Sequence, residues 1–388
     1  MNEPVRRVPL VEVSDLLAPG APLPFRVLDA QGRLLLADGQ RIADARQLSA
    51  LMERGACVEW PDVERVRRER GAVGVDPGIE HAVRRETLFD RWEQFVWKLD
   101  TLLRVLGRDA GQVVDIDALA TQFIGLVDRE VDAALFLGMR QDDRRFALYG
   151  ITHAMHTATV VLLAARTLGW PLAAQHRMVL AALTMNAAIV ELQGRMAEQA
   201  DPPTKKQIET IRAHPQASAD LLRASGVTDA DWLAAVEEHH ERPGPGGYPR
   251  GVQATSDAAH LLRAADVFMA KVSPRALRAP MVPQQAARQL FQEEGGGPIA
   301  GALIKAIGVH PPGDLVKLKN GEAAIVVQRA APGRATQVAA LLDARGKVLS
   351  GAPRRDTAKP DFAIAGPLLD RGGLPRVLPE QVYGLLEP

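Results

Sequence analysis

Between about residues 85 and 300, apolar side chains return every three or four positions with little interruption. That period is the signature of stacked amphipathic helices sharing one core. Trp92, Phe95, Val96, Leu99, Leu103 and Leu106 form one such stripe. Further helices are predicted over 154–168, 178–192, 205–222 and 229–239, the last with Asp229 placed as an N-cap. Pro171, Pro202, Pro203 and Pro215 mark expected breaks or first turns.

A chain of 388 residues has room for two or three domains, and the ends of this one differ from its middle. Residues 1–62 read as a small α/β module. Its strands at 25–28 and 34–36 are joined by a turn at Asp29-Ala30-Gln31-Gly32, and a helix at about 44–54 turns Leu48, Leu51 and Met52 inward. Gly55 closes that helix, and 57–60 is a further short strand. Residues 63–84, charged and then punctuated by Gly and Pro, read as a linker. Arg65, Arg67, Arg68 and Arg70 there alternate with Glu64 and Glu69, which suits a solvated helix end better than a phosphate site. Residues 308–388 read as a small β module with strands at 315–318, 323–327 and 338–342, a two-residue hairpin turn at Asn320-Gly321, and a weakly structured tail. The expected fold is therefore mainly α and multi-domain: a central helical bundle flanked by a small N-terminal α/β module and a small C-terminal β module.

Composition narrows the function classes. Forty-seven basic and forty-seven acidic residues cancel, so no global field favours nucleic acid or an anionic membrane. Aromatic residues make up 4%, too few for base-stacking platforms. The lone Cys57 precludes an internal disulfide and suits a reducing compartment. The apolar run near 178–190 falls short of the roughly 18 residues a membrane span needs. A cytoplasmic protein that neither inserts into membranes nor binds nucleic acid is expected.

The chemistry concentrates in residues 236–251, VEEHHERPGPGGYPRG. His239 and His240 close a helical run and can offer two imidazoles to one metal ion. The Gly-rich loop that follows can bring backbone close to a ligand. Glu237, Glu238 and Glu241 read as an exposed helix end, and Ser225-Gly226 as a helix stop. His156, His176 and His260 read as surface or packing residues.

Taken together, the stretches HAMHTATVVLLAARTLG, AALTMNAAI, IRAHP, HHERPGPGGYPRG and RAADVFMAKVSPRALR resemble the HD-GYP family of cyclic di-GMP phosphodiesterases, a subset of the HD superfamily. Their order and spacing match, with Met185 and His214 29 residues apart and His214 and His239 25 apart. PLPFRVLDAQGRLLLADG and IGVHPPGDLVKLKNGEAAIVV resemble the modules that flank such domains. The resemblance implies an HD-type helical domain over 85–300. It also implies a metal centre in which His153 matches the first ligand, His214 the third-motif histidine, His239 and His240 the paired ligands, and Asp266 the late aspartate. Arg275 and Arg278 match residues that meet ligand phosphates, with Tyr248 and Gly247 on the same ligand-binding surface; a helix-capping role for the two arginines is the competing reading. The ligand implied is cyclic di-GMP, the metals iron, manganese or zinc, and the protein partners GGDEF-domain or other regulators at the GYP loop. A homodimer is compatible with a helical bundle.

The departures from the family pattern decide what to expect. Met185 and Asn186 stand where the name-giving His-Asp belongs, and Ile189 replaces a lysine. Tyr149 stands where trinuclear members carry glutamate, and Gly244-Pro245 replaces Asp-Gly in the loop. A two-metal hydrolase needs a carboxylate to bridge its ions; an amide oxygen bridges poorly, and a thioether is a soft donor for iron(II) or manganese. Losing ~4 kcal/mol of transition-state stabilisation slows a reaction about a thousandfold, so no catalytic residue is expected to operate. The chain is expected to act as an inactive nucleotide binder or docking module in cyclic di-GMP signalling. The alternatives are a weak phosphohydrolase with one divalent ion at His214, His239 and His240, around a vestigial pair His153 and Asp266, and a purely structural interaction scaffold.

Overall fold

The computed structural model describes residues 6–17, 20–43, 45–72, 86–140, 145–242, 245–252, 254–370, 373–375, 377–384 and 386. The N-terminal module is an antiparallel sheet of β1 (Arg7–Pro9), β2 (Val27–Leu28), β3 (Leu34–Leu36) and β4 (Cys57–Glu59), in the order β1-β4-β2-β3, with helix α1 (Ala45–Glu53). Asp29 shapes the β2–β3 turn by accepting from the N–H groups of Gln31 and Arg33 at 3.0 and 2.9 Å. Leu51 of α1 is fully buried.

Residues 60–72, the first half of the expected linker, are instead helical: α2 (Trp60–Ala72) continues straight from β4, with Val63 and Val66 buried. The charge density that suggested a linker is the solvated face of this helix, and two valines three residues apart suffice to dock its other side. The remainder of the expected linker, 73–84, lies outside the described residues.

The helical region comprises α3 (Leu88–Val105), α4 (Gln112–Arg129), α5 (Val131–Met139), α6 (Tyr149–Thr167), α7 (Leu172–Thr184), α8 (Val190–Glu198), α9 (Lys205–Ala224), α10 (Ala230–Glu238), α11 (Asp257–Val272), α12 (Pro283–Glu293) and α13 (Pro298–Ile307). Thr87 and Asp90 close a capping box at the start of α3, and the whole expected stripe of that helix is buried. Asp229 caps α10 by accepting from the Trp232 N–H. Helix α6 runs through the centre and packs against α5, α7, α8, α11 and α13. Residues Phe146–Thr167 are long and apolar enough to cross a membrane, unlike the 178–190 run singled out from sequence. However, 78% of that apolar window is buried inside the fold, as for a core helix.

Two expectations in this region are corrected. The helix expected over 178–192 breaks after Thr184, passes through a 3-10 turn at Ala187–Ile189 and restarts as α8. Pro215, expected at a break or first turn, lies inside α9.

The C-terminal module is an antiparallel sheet of β5 (Leu315–Leu318), β6 (Ala323–Gln328), β7 (Gln337–Leu342), β8 (Arg354–Asp356) and β9 (Ile364–Pro367), in the order β8-β7-β6-β5-β9. The tail expected to be weakly structured thus supplies both edge strands and a short helix, α14 (Pro379–Tyr383). These elements are held by long-range pairing, which local composition does not report. The Tyr383 hydroxyl donates to the carbonyls of Val327 and Asp132 at 2.6 and 3.1 Å, fastening α14 to β6 and α5. Phe136 of α5 is buried with Ile325, Val327 and Leu341, joining sheet to bundle.

Candidate metal and ligand site

The histidines expected to share a centre come from α9 and the end of α10. The potential ligand atoms of His214, His239 and His240 all lie within 4.8 Å of one another. His214 and His239 are buried, and their Nε2 atoms are 3.1 Å apart.

Local backbone chemistry sets the orientation of both rings. In an uninterrupted helix the carbonyl of Ile211 would accept from the N–H of residue 215, but Pro215 has none. His214 Nδ1 takes that place at 2.5 Å. His239 follows the last residue of α10, and its Nδ1 bonds the carbonyl of Val236 at 2.6 Å, one of the acceptors a helix end leaves over. With Nδ1 protonated toward a carbonyl, each neutral ring presents an Nε2 lone pair. Burial, and then the charge His239 would carry, push the His214 imidazole down to about 3. Burial likewise lowers His239, and lowers His240 well below the ordinary histidine value. Two lone pairs therefore face each other across 3.1 Å, an arrangement that a shared cation relieves. Two nitrogens ~2.1 Å from one ion sit about 3 Å apart, so these residues fit a divalent metal.

The other two expected ligands pair with each other. His153, on α6, and Asp266, on α11, are buried and bonded Nε2 to Oδ1 at 2.7 Å. Burial alone would raise the Asp266 carboxyl; the hydrogen bond and charge of His153, then the charges of His240 and His239, outweigh it and hold it below the usual carboxylate range. His153 Nδ1 and the Thr157 hydroxyl one turn along are buried without partners among the described residues. Met185 is fully buried within the main apolar cluster, packed as a hydrophobe. Asn186 is 3% exposed, and its side-chain nitrogen has no partner among the described residues. Ile189 is also buried.

The loop residues divide. Tyr248 stacks on His240, with ring centroids 4.5 Å apart and planes at 22°, and burial raises its phenol. Gly247 sits so close to the chain that a Cβ would fall 2.8 Å from the Arg242 amide nitrogen. Its size is thus fixed by the loop's own packing. Gly244 lies outside the described residues. Glu241, expected at an exposed helix end, is 1% exposed. Its Oε1 accepts from the N–H groups of Arg250 and Gly251 at 2.6 and 3.0 Å, and Oε2 from Val252 at 3.1 Å. Burial is affordable because three main-chain donors converge on it. Glu241→Ala should strand those donors, destabilise the protein by about 3 kcal/mol and release the Tyr248 stack. Chemical denaturation and hydrogen exchange at 248–252 check this, and unchanged exchange there would refute it.

The two arginines also divide. Arg275 donates from Nε and Nη2 to the Tyr149 hydroxyl at 2.9 and 2.5 Å. The Tyr149 ring in turn stacks on His153 with centroids 5.5 Å apart. Arg275 therefore reaches the histidine cluster through a buried phenol, which burial raises despite the neighbouring guanidinium. Arg278 Nη2 donates to the Ala270 carbonyl at 2.5 Å in the last turn of α11, the capping role foreseen as the alternative. His176 lies beside Thr121, and His260 pairs with Glu294. Sequence reasoning missed the parts played by Glu241 and Thr157. It also missed that of Pro215, although its i−4 relation to Ile211 is legible in the sequence.

A family model described as "HD domain" matches residues 136–297, from α5 to just before α13. The chain is HD-GYP-like. Cyclic di-GMP phosphodiesterase PA4108 of Pseudomonas aeruginosa is 25% identical to this HD-GYP-like chain over 205 residues, 52% of this chain and 50% of that protein. The chain thus matches about half the length of this curated relative. Among solved structures, Bd1817, described as an HDG"Y"P protein from Bdellovibrio bacteriovorus, is similar with a TM-score of 0.49 and 12% identity, over 78% of this chain and 99% of that one.

Proposed function

We propose that this chain works in cyclic di-GMP signalling as an HD-GYP-like binder or docking module without useful phosphodiesterase turnover. The observation that carries the reading is the fate of the first metal position. Met185 is packed into the apolar core, Asn186 brings no charge, and His153 and Asp266 are engaged with each other. A bridging carboxylate, needed to hold two ions around an attacking oxygen, has no counterpart at residue 186. The ligand comes by analogy with the relative's activity, and the docking role from the family resemblance of the GYP loop. Tyr248 over His240, and Arg275 behind Tyr149, line the region where phosphates would be met. Titration calorimetry with cyclic di-GMP, beside a hydrolysis assay on the same preparation, should give saturable binding and no linear product. Rapid linearisation would overturn the reading, and so would silence in both the titration and a pull-down of GGDEF-domain proteins.

A second reading rests on the facing Nε2 atoms of His214 and His239. These residues with His240 would hold one iron, manganese or zinc ion, which when bound supplies Lewis acidity and an acidified water. The protein purified without chelator should carry close to one ion per chain, and His239→Ala close to none. Metal analysis below about a tenth of an ion per chain in the parent would dismiss it, since a three-histidine site holds its ion firmly.

A further inference from the structure

Helix α12 carries more apolar surface than the bundle uses. Pro283, Ala286 and Leu290 are buried. A second strip, Ala287 and Phe291 one turn apart, lies beside them and meets Ile304 and Val309 from the end of α13 to line an open groove of about 580 Å³. Phe291 and Val309 are 46% and 71% exposed, large apolar side chains left uncovered by the described residues. No residue of the expected metal and ligand set lines the groove. Its volume falls within the roughly 300–1,000 Å³ typical of sites for a single small ligand.

The end of the groove is held by the chain's own bonds. Gln284 Nε2 donates to the Val309 carbonyl at 3.0 Å and to Asp314 Oδ2 at 2.5 Å, which fastens the residues after α13 against α12. Charge on the walls is one-sided. Among the described residues, Arg288 is the charged side chain of the lining, and no carboxylate lines it. Asp314 is buried and stands outside the lining. Arg288 is exposed, and its guanidinium has neither an ion pair nor a hydrogen bond among the described residues. Lys305, which follows Ile304 on α13, is likewise exposed and unpaired among the described residues. An apolar trough thus has an uncommitted cation on α12 and another beside it on α13.

We infer that this groove is a binding site for a medium-chain fatty carboxylate, its hydrocarbon along Ala287, Phe291, Ile304 and Val309 and its head at Arg288. Covering the exposed phenyl and valyl groups supplies the drive, and a guanidinium matches both carboxylate oxygens. A bare hydrocarbon would leave that cation unanswered, and a cationic amphiphile would be repelled by it. Size favours one acyl chain over a docked protein. The stretch of α12 on the wall, Pro283 to Gln292, runs only about 14 Å, whereas a stable protein interface takes upward of about 1,000 Å².

Decanoate serves as the probe, below its micellar range, with decanol and decyltrimethylammonium as neutral and cationic counterparts. Each is titrated into the full chain by calorimetry and by isoleucine-methyl NMR. Decanoate is expected to saturate at one molecule per chain and to shift the Ile304 methyl. Arg288→Glu should weaken decanoate about tenfold and leave decanol unchanged, and Phe291→Glu, which sets a carboxylate in the trough, should abolish decanoate binding. Both side chains are exposed, so the variants keep the fold. Uptake that never saturates, equal binding of decyltrimethylammonium, undiminished affinity in Arg288→Glu, or no response to decanoate up to about 5 mM would overturn the assignment. Sedimentation covers the rival occupant: a dimeric parent that Phe291→Glu splits into monomers would give this face to a second copy of the chain, and the assignment would fall.

Discussion

The double substitution Met185→His with Asn186→Asp is expected to make the protein linearise cyclic di-GMP at least about a thousandfold faster than its parent when manganese or iron is supplied. Residues 185 and 186 lie at the break between α7 and α8, and both are buried, so new ligands there would be screened from water. Without metal, a charged group enters a position 3% exposed, and the double variant should therefore be less stable than the parent in chelator. Manganese should reverse that order. Two ions per chain in a folded double variant with no turnover would show that the lost pair is not what silences the site.

The largest expected effect on stability lies at Gly226. Its φ is +91°, and a Cβ there would fall 2.1 Å from the Ala110 carbonyl oxygen. Backbone, not a flexible side chain, is the obstacle, so the clash cannot be relieved by a rotamer change. Gly226→Ala is expected to cost about 4 kcal/mol, in the range reserved for strain at special backbone geometry. The damage should spread, because the preceding Ser225 hydroxyl accepts from the Gly107 N–H at 2.8 Å and ties the end of α9 to the α3–α4 turn. Urea denaturation of the variant tests this. A loss below about 1 kcal/mol would mean that the turn relaxes without strain.

How much the sequence disclosed follows from what kind of force fixes each part. The α3 stripe and the Asp229 cap depend on residues close in the chain and were legible. The hairpin around Asn320-Gly321 is present, but its loop is the three residues Lys319–Gly321 between the paired Leu318 and Glu322, not two. The grouping of His214 with His239 and His240 was foreseen only through the resemblance, since 25 residues of α9 and α10 separate them. The break at 185–189 was hidden, because Met185 continues the apolar period of α7 and the turn is held from outside, by Ser218 Oγ accepting from the Ala188 N–H at 3.2 Å. Glu241 was misjudged for a related reason: its partners are main-chain N–H groups nine to eleven residues away, which carry no residue-specific mark. The edge strands β8 and β9 owe their place to β7 and β5, far away in sequence. The pairing of His153 with Asp266 across 113 residues belongs to the same class.

Pro215 has a wider consequence for what mutation can do to this chain. An alanine there would satisfy the helix, and by secondary-structure preference alone it counts as an improvement. It would also hand the Ile211 carbonyl a new hydrogen, evicting the imidazole that now rests on it and leaving that ring free to spin and swap its proton between nitrogens. Sturdiness and a correctly aimed nitrogen thus pull this single site in opposite directions, and under the metal-site proposal a stabilised variant with blunted metal affinity is where they would part.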